Sequence, residues 1–169
     1  DPFALLPDLS PDRVRVAPLR SEATGLELSV REPIGENFTS WGTLSWARVA
    51  DHFRTSRDVL RSWDQPVSLS AGLAWKNSRA SVSMLAGWHS GWPRTPVSFA
   101  PLRTGGRNSE RWSDFYTIDL RGSWSWQRES GEFSVVLDVT NSANRANECG
   151  LLLERAGPSG IQAEVDHWL

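Results

Sequence analysis

The sequence predicts an all-β fold, an antiparallel up-and-down transmembrane β-barrel, on three observations. Several segments alternate apolar and polar side chains with few errors. The connections between them run short, long, short, long. Aromatic residues collect near both ends of the apolar face. Successive side chains of a strand point to opposite faces, so a period of two marks strands. Long strands with aromatics at both ends of the apolar face fit a barrel in a membrane.

In chain order, residues 1–23 are rich in proline and charge, with Val14 and Val16 a candidate short strand. The first clear strand runs over about 24–33, with Leu26, Leu28 and Val30 on one face and Glu27, Ser29 and Arg31 on the other. Pro33 to Asn37 reads as a tight turn, since Pro and Gly preset turn dihedrals. A second strand, about 37–50, puts Phe38, Gly42, Leu44 and Trp46 on one face. Thr39, Thr43 and Ser45 lie on the other, with Trp41 an apolar exception. The charged stretch 51–63 follows.

The third and fourth strands, about 64–76 and 79–90, meet through Asn77-Ser78, a two-residue hairpin connection. Pairing Lys76 with Arg79 sets Trp75 opposite Ala80, Leu73 opposite Val82 and Val67 opposite Trp88, apolar against apolar throughout. Residues 91–113 form the longest irregular stretch, rich in Pro, Gly, Arg and Ser. The fifth and sixth strands, about 114–127 and 132–141, are joined by Arg128 to Gly131. Pairing Gln127 with Glu132 brings Arg121 opposite Asp138 on the polar face. Residues 142–160 read as loop, with a short strand at 151–155.

The short connections fall at one end of the sheet and the long ones (51–63, 91–113, 142–160) at the other. Outer-membrane barrels share this asymmetry, with short inner turns and long outer loops. Phe38, Trp75, Trp124, Trp126 and Phe133 sort to the short-turn end; Trp46, Trp88 and Tyr116 sort to the long-loop end. The rise from Phe38 to Trp46 is roughly 26 Å along a strand and ~19 Å after a tilt of about 45°, close to the height of an apolar band.

Composition narrows the function. The net charge of the 169 residues is -2, so no basic field points to nucleic acid. Cys149 stands alone, so the chain holds no internal disulfide framework, and it reads as a loop thiol or half of a bridge to another segment. No run of about 18 apolar residues predicts a spanning helix. Spanning strands need only an uncharged middle, and Phe38–Ala47, Gln65–Trp75 and Ala80–Pro93 supply it. The histidines His52, His89 and His167 have no metal-ligand spacing, and no phosphate loop or nucleophile elbow is present. His52 beside Asp51 reads as a solvated loop pair, and His89 as a rim or lumen residue. Asp114, Asp119 and Asp138 read as lumen charges rather than an acid–base set. The sequon Asn37-Phe38-Thr39 falls on a strand and is discounted. No cofactor and no enzyme activity are expected.

Five stretches carry a family resemblance. They are Gly25-Leu26-Glu27-Leu28, Arg61-Ser62-Trp63-Asp64-Gln65, Ser90 to Val97, Asp114 to Arg121, and Leu137 to Arg145. In this order, from about residue 20 to the end, the chain resembles the late barrel strands of TonB-dependent outer-membrane receptors. That resemblance implies a barrel of about 22 strands with an N-terminal plug. It would import a scarce ligand, of siderophore, haem, cobalamin or oligosaccharide type, with energy passed from the inner membrane. The partners implied are outer-membrane lipid, a small-molecule or glycan ligand, and the energising complex acting through a plug. Residues 1–169 show no plug and stop before a last strand with a C-terminal aromatic. The expectation is one region, the C-terminal portion of such a barrel. A small self-standing barrel or adhesin, and a soluble β-sandwich ligand-binding module, are the alternatives.

The ligand candidates lie in the long loops, where recognition concentrates. They are Trp92, Arg94, Arg103, Arg107, Arg111 and Trp112 in 91–113, and Arg57 and Arg61 in 51–63. Arginine beside tryptophan suits an anionic or ring-bearing ligand, through bidentate hydrogen bonds and stacking.

Overall fold

The computed structural model describes residues 17–54, 58–99, 102–155 and 161–168. It is all-β and antiparallel, with no helix among them. Six long strands form a meander: β1 (Arg20–Ile34), β2 (Phe38–His52), β4 (Val67–Lys76), β5 (Ala80–His89), β10 (Phe115–Arg128) and β11 (Gly131–Val139). The two-residue β3 (Val59–Leu60) pairs with the far end of β2. The described sheet is open. One edge of β1 and one edge of β11 have no strand partner among the described residues. The candidate strand at Val14 and Val16 lies outside the described residues.

Each turn follows local chemistry. The β1–β2 turn, Gly35-Glu36-Asn37, places Gly35 at φ 66°, which glycine adopts without steric cost. Between β10 and β11 only Glu129 and Ser130 intervene, and Gly131 sits at φ 141°. Gln127 pairs with Glu132, as the sequence predicts. Arg121 then meets Asp138 with 3.6 Å between Nε and the carboxylate, both side chains exposed.

The β4–β5 hairpin differs from the expected register by two. Lys76 pairs with Ser81, so Trp75 meets Val82, Leu73 meets Met84 and Leu69 meets Trp88. The cause is the Asn77 side chain, whose Oδ1 accepts from the amides of Arg79 (2.8 Å) and Ala80 (2.7 Å). Asn77 thus closes the ladder with Ala80, and Ser78-Arg79 become the loop. A slip of two keeps every side chain on its face, so the alternation cannot detect it.

The register builds continuous cross-sheet rows. One row is Leu28, Leu44, Leu69, Trp88 and Tyr116; another is Leu73, Met84, Leu120 and Val139, with Ser40 and Glu32 at its β2 and β1 end. Among the described residues the exposed large hydrophobic side chains fall on this face except Leu19, Trp63, Leu85 and Val136. Val82 is 54% exposed, Trp124 56% and Leu137 66%. The opposite face carries Glu27, Ser29, Thr43, Ser45, Ser68, Ser70, Ser81, Thr117 and Ser123 in register. Among the described residues the few buried apolar ones, Ala50, Ala80, Trp112 and Cys149, make no hydrophobic core for this sheet.

The long connections are more ordered than their sequence predicts. Residues 91–113 hold β6 (Pro93–Arg94) paired with β9 (Glu110–Arg111), and β7 (Val97–Phe99) paired with β8 (Leu102–Thr104). The stretch is therefore a two-storey hairpin and not an irregular loop. Residues 142–160 also depart from expectation. β12 (Asn147–Arg155) pairs with β13 (Ile161–Trp168), so the short strand expected at 151–155 is the second half of a longer one. Cys149 is buried at the bulge of β12, a strand thiol rather than a loop thiol.

Candidate functional site

The long-connection end is where charges are buried. Among the described residues the buried polar ones, Asp51, Asp64, Asn108 and Asn147, lie there. Asp64, 1% exposed, receives the Arg111 guanidinium on its carboxylate and the Val49 amide at 2.6 Å. Arg111 also donates to the carbonyls of Asp64 and Gly91, each at 2.9 Å. This guanidinium therefore ties the 91–113 excursion to the connection after β3. A Cβ on Gly91 would collide with the backbone of Trp112 and Ser113, so the close approach requires glycine there. Asn108, at φ 51°, donates from its amide to the Leu60 carbonyl (2.6 Å) and the Ser62 hydroxyl (3.3 Å). Asp51 accepts from Ser21 at 2.7 Å and faces Arg61 at 3.4 Å.

The predicted ligand residues divide by what they already hold. Arg111 and Arg61 are in ion pairs with buried carboxylates. Arg94 pairs with Glu110 at 2.9 Å and stacks over the buried Trp112 at 4.7 Å. Arg107 lies 5.2 Å over the Phe53 ring. Arg103, on β8, is exposed. Trp92 packs its ring 4.8 Å from His89, whose other neighbour is Phe115, stacked at 4.7 Å. Arg57 lies outside the described residues. The structure thus brings Arg94 and Trp112 together, turns Arg111 to Asp64 and Gly91, and leaves Arg103 exposed on β8. His52 faces Asp58 and, at 3.6 Å, Glu22, and not the expected Asp51.

Two joints hold the β12–β13 hairpin to this end. The Asn147 side chain accepts from the Tyr116 amide (3.1 Å) and donates to its carbonyl (3.0 Å), standing in for a strand partner at the edge of β10. The Glu148 carboxylate accepts from the Ser113 amide at 2.8 Å. That amide, with the Ser113 hydroxyl behind it, holds the Glu148 carboxyl below its ordinary value of 4.5. Partial burial opposes the shift, and the charges of His167 and Arg94 add to it. At the same end Arg145 lies 5.1 Å over the Tyr116 ring.

A second feature escaped the sequence reading. On the polar face Trp41 is the register partner of Arg31 on one side and Gly72 on the other. A Cβ at residue 72 would fall among the indole atoms Cε2, Cζ2 and Cη2, so the ring lies face-on over the bare glycine backbone. Beside it is an open hollow of about 450 Å³ lined by Ser29, Val30, Arg31, Trp41 and Thr43. The available signal was Trp41 itself, the one aromatic out of pattern on the polar side of its strand. No cluster of His, Cys, Asp and Glu suited to a metal ion occurs among the described residues. Searches of protein-family models, curated proteins and solved structures find no significant match to this chain.

Proposed function

We propose that this chain is barrel wall from an outer-membrane receptor that imports a scarce ligand, and that it works by binding and passage rather than catalysis. The observation carrying the reading is the exposed apolar face. It extends from Leu26 on β1 to Leu137 on β11, interrupted at Glu32 and Ser40, with aromatics toward both ends, while the reverse face is hydroxyl-rich. Water penalises such a surface at about 25 cal/mol per Å². Apolar patches beyond a few hundred Å² mark membrane or partner contact. Lipid removes the cost on one face, and a wet lumen suits the other. In a bilayer the free edges of β1 and β11 need strand partners, because lipid offers no hydrogen bonds to backbone.

In this reading the ordered excursion 91–113 and the β12–β13 hairpin stand at the outer surface. The clamp of Arg111 on Asp64 sets the loops rigidly over the lumen mouth, where a ligand arrives. The resemblance to TonB-dependent receptors supplies the energising inner-membrane complex as the partner. An antibody raised to residues 91–113 tests the reading on fractionated cells. Signal in the outer membrane, protected from salt and alkaline washes, is expected. Signal in the soluble fraction would contradict it.

A further inference from the structure

We propose that the hollow beside Trp41 on the polar face binds a saccharide, with the indole as stacking plate and its neighbours as hydroxyl partners. The proposal names a ligand class for the receptor reading and rests on that reading only for placing this face in a lumen.

The plate is held in place from below. Gly72 offers no side chain, so one indole face rests on backbone and the other turns away from the sheet. An indole there is out of keeping with its Ser- and Thr-rich surroundings unless something covers it. Around it stand groups of mixed hydrogen-bonding sense. The hydroxyls of Ser29 and Thr43 lie 3.0 Å apart. The Glu27 carboxylate accepts from Ser29 (3.5 Å) and Ser45 (3.3 Å). Arg31 lines the same hollow and is the register partner of Trp41.

A pyranose has one chemistry on its face and another on its rim. Its axial C–H groups are drawn to the negative face of an aromatic ring. Its hydroxyls both donate and accept, which the guanidinium and two hydroxyls lining the hollow can meet together. A flat apolar ligand would leave those groups unpaired at a cost. An anion would meet the Glu27 carboxylate that accepts from Ser29. The hollow, about 450 Å³, falls in the size range of small-molecule sites.

The test is an array of immobilised neutral oligosaccharides probed with the full chain, folded in a detergent that carries no sugar. Wild type and Trp63→Ala, which alters an exposed tryptophan away from the hollow, are expected to bind the same saccharides. Trp41→Ala should weaken that binding about tenfold, the size of one lost aromatic contact, and Trp41→Phe should recover part of it. Gly72→Ala, which tips the plate, should also weaken it. No saccharide retained by wild type, or equal binding by Trp41→Ala, would overturn the proposal. If circular dichroism shows that Trp41→Ala loses strand content, Arg31→Gln decides: weaker binding supports the site and unchanged binding overturns it. Saccharide binding by a protein found in the soluble fraction would sink the membrane reading and leave this site standing. An outer-membrane protein that retains no saccharide would do the reverse.

Discussion

The six-stranded sheet and the long-connection end are built in opposite ways. In the sheet, large apolar side chains such as Leu28, Val82, Trp124 and Leu137 are exposed, and backbone ladders hold the strands together. At the long-connection end the buried side chains include four polar ones, Asp51, Asp64, Asn108 and Asn147, beside Ala50, Trp112 and Cys149. A domain folded in water buries the first kind and exposes the second. The contrast teaches where each region's stability comes from. The end is held by specific polar pairs, some of them to the ends of β2 and β10, whereas the sheet relies on whatever covers its apolar face.

The sharpest way to break the contrast is at Asp64. Removing one partner of a buried ion pair leaves a charge uncompensated, at about 3–5 kcal/mol. Asp64→Ala should therefore release the 91–113 excursion, read as protease cleavage there, while the sheet keeps its circular dichroism. Simultaneous loss of the sheet would show that the two regions are one cooperative unit.

Next in size is a pair of substitutions across the sheet. Leu73→Arg puts a charge on the apolar face and should cost about 2–4 kcal/mol in lipid vesicles. Ser70→Arg, on the hydroxyl face, should cost far less. Denaturant titration of both in vesicles gives the difference, and equal costs would contradict the assignment of faces.

Smaller still is Asn77→Ala at the β4–β5 turn, which removes two side-chain to backbone bonds. A loss of about 1 kcal/mol is expected by analogy with helix caps. Amide exchange should quicken at Arg79 and Ala80 but not in β10.

The Glu148 joint adds a pH dependence. Its folded-state carboxyl titrates below the ordinary 4.5, so its contribution is complete above that value and declines as pH falls below it. Relative to the intrinsic exchange rate at each pH, protection of the Ser113 amide should fall on acidification from pH 5 to about 3, and Glu148→Gln should remove that loss of protection. The smallest effect belongs to Arg121 and Asp138. Both are more than half exposed, so a double-mutant cycle should give less than about 1 kcal/mol.

The same contrast explains what the sequence could disclose. Strand positions and faces were legible because alternation is local, and it failed where Trp41, Leu85, Phe115 and Val136 sit on the polar side and Glu32 on the apolar one. The β10–β11 register was legible because it aligns Arg121 with Asp138. The β4–β5 register was not, since a shift of two leaves the pattern unchanged and one asparagine side chain decides it. The long-connection end was largely illegible. Asp64 and Arg111 are 47 residues apart, and neither belongs to a repeating pattern. Listing arginines and tryptophans picked out Arg111 and Arg94 but not the carboxylates they hold. Asn108 and Asn147, which anchor the excursion and the second hairpin, carry no motif at all.

The measurement that tests the account most directly is solvent access along β4. Spin labels placed singly at residues 67 to 76, in a Cys149→Ser background, report collisions with oxygen dissolved in lipid and with a water-soluble nickel complex. For the protein in vesicles, positions 67, 69, 71, 73 and 75 should favour oxygen, with strict alternation against 68, 70, 72, 74 and 76. If the apolar positions are shielded from both agents, or if the alternation is missing, the apolar face does not meet lipid and the receptor reading fails.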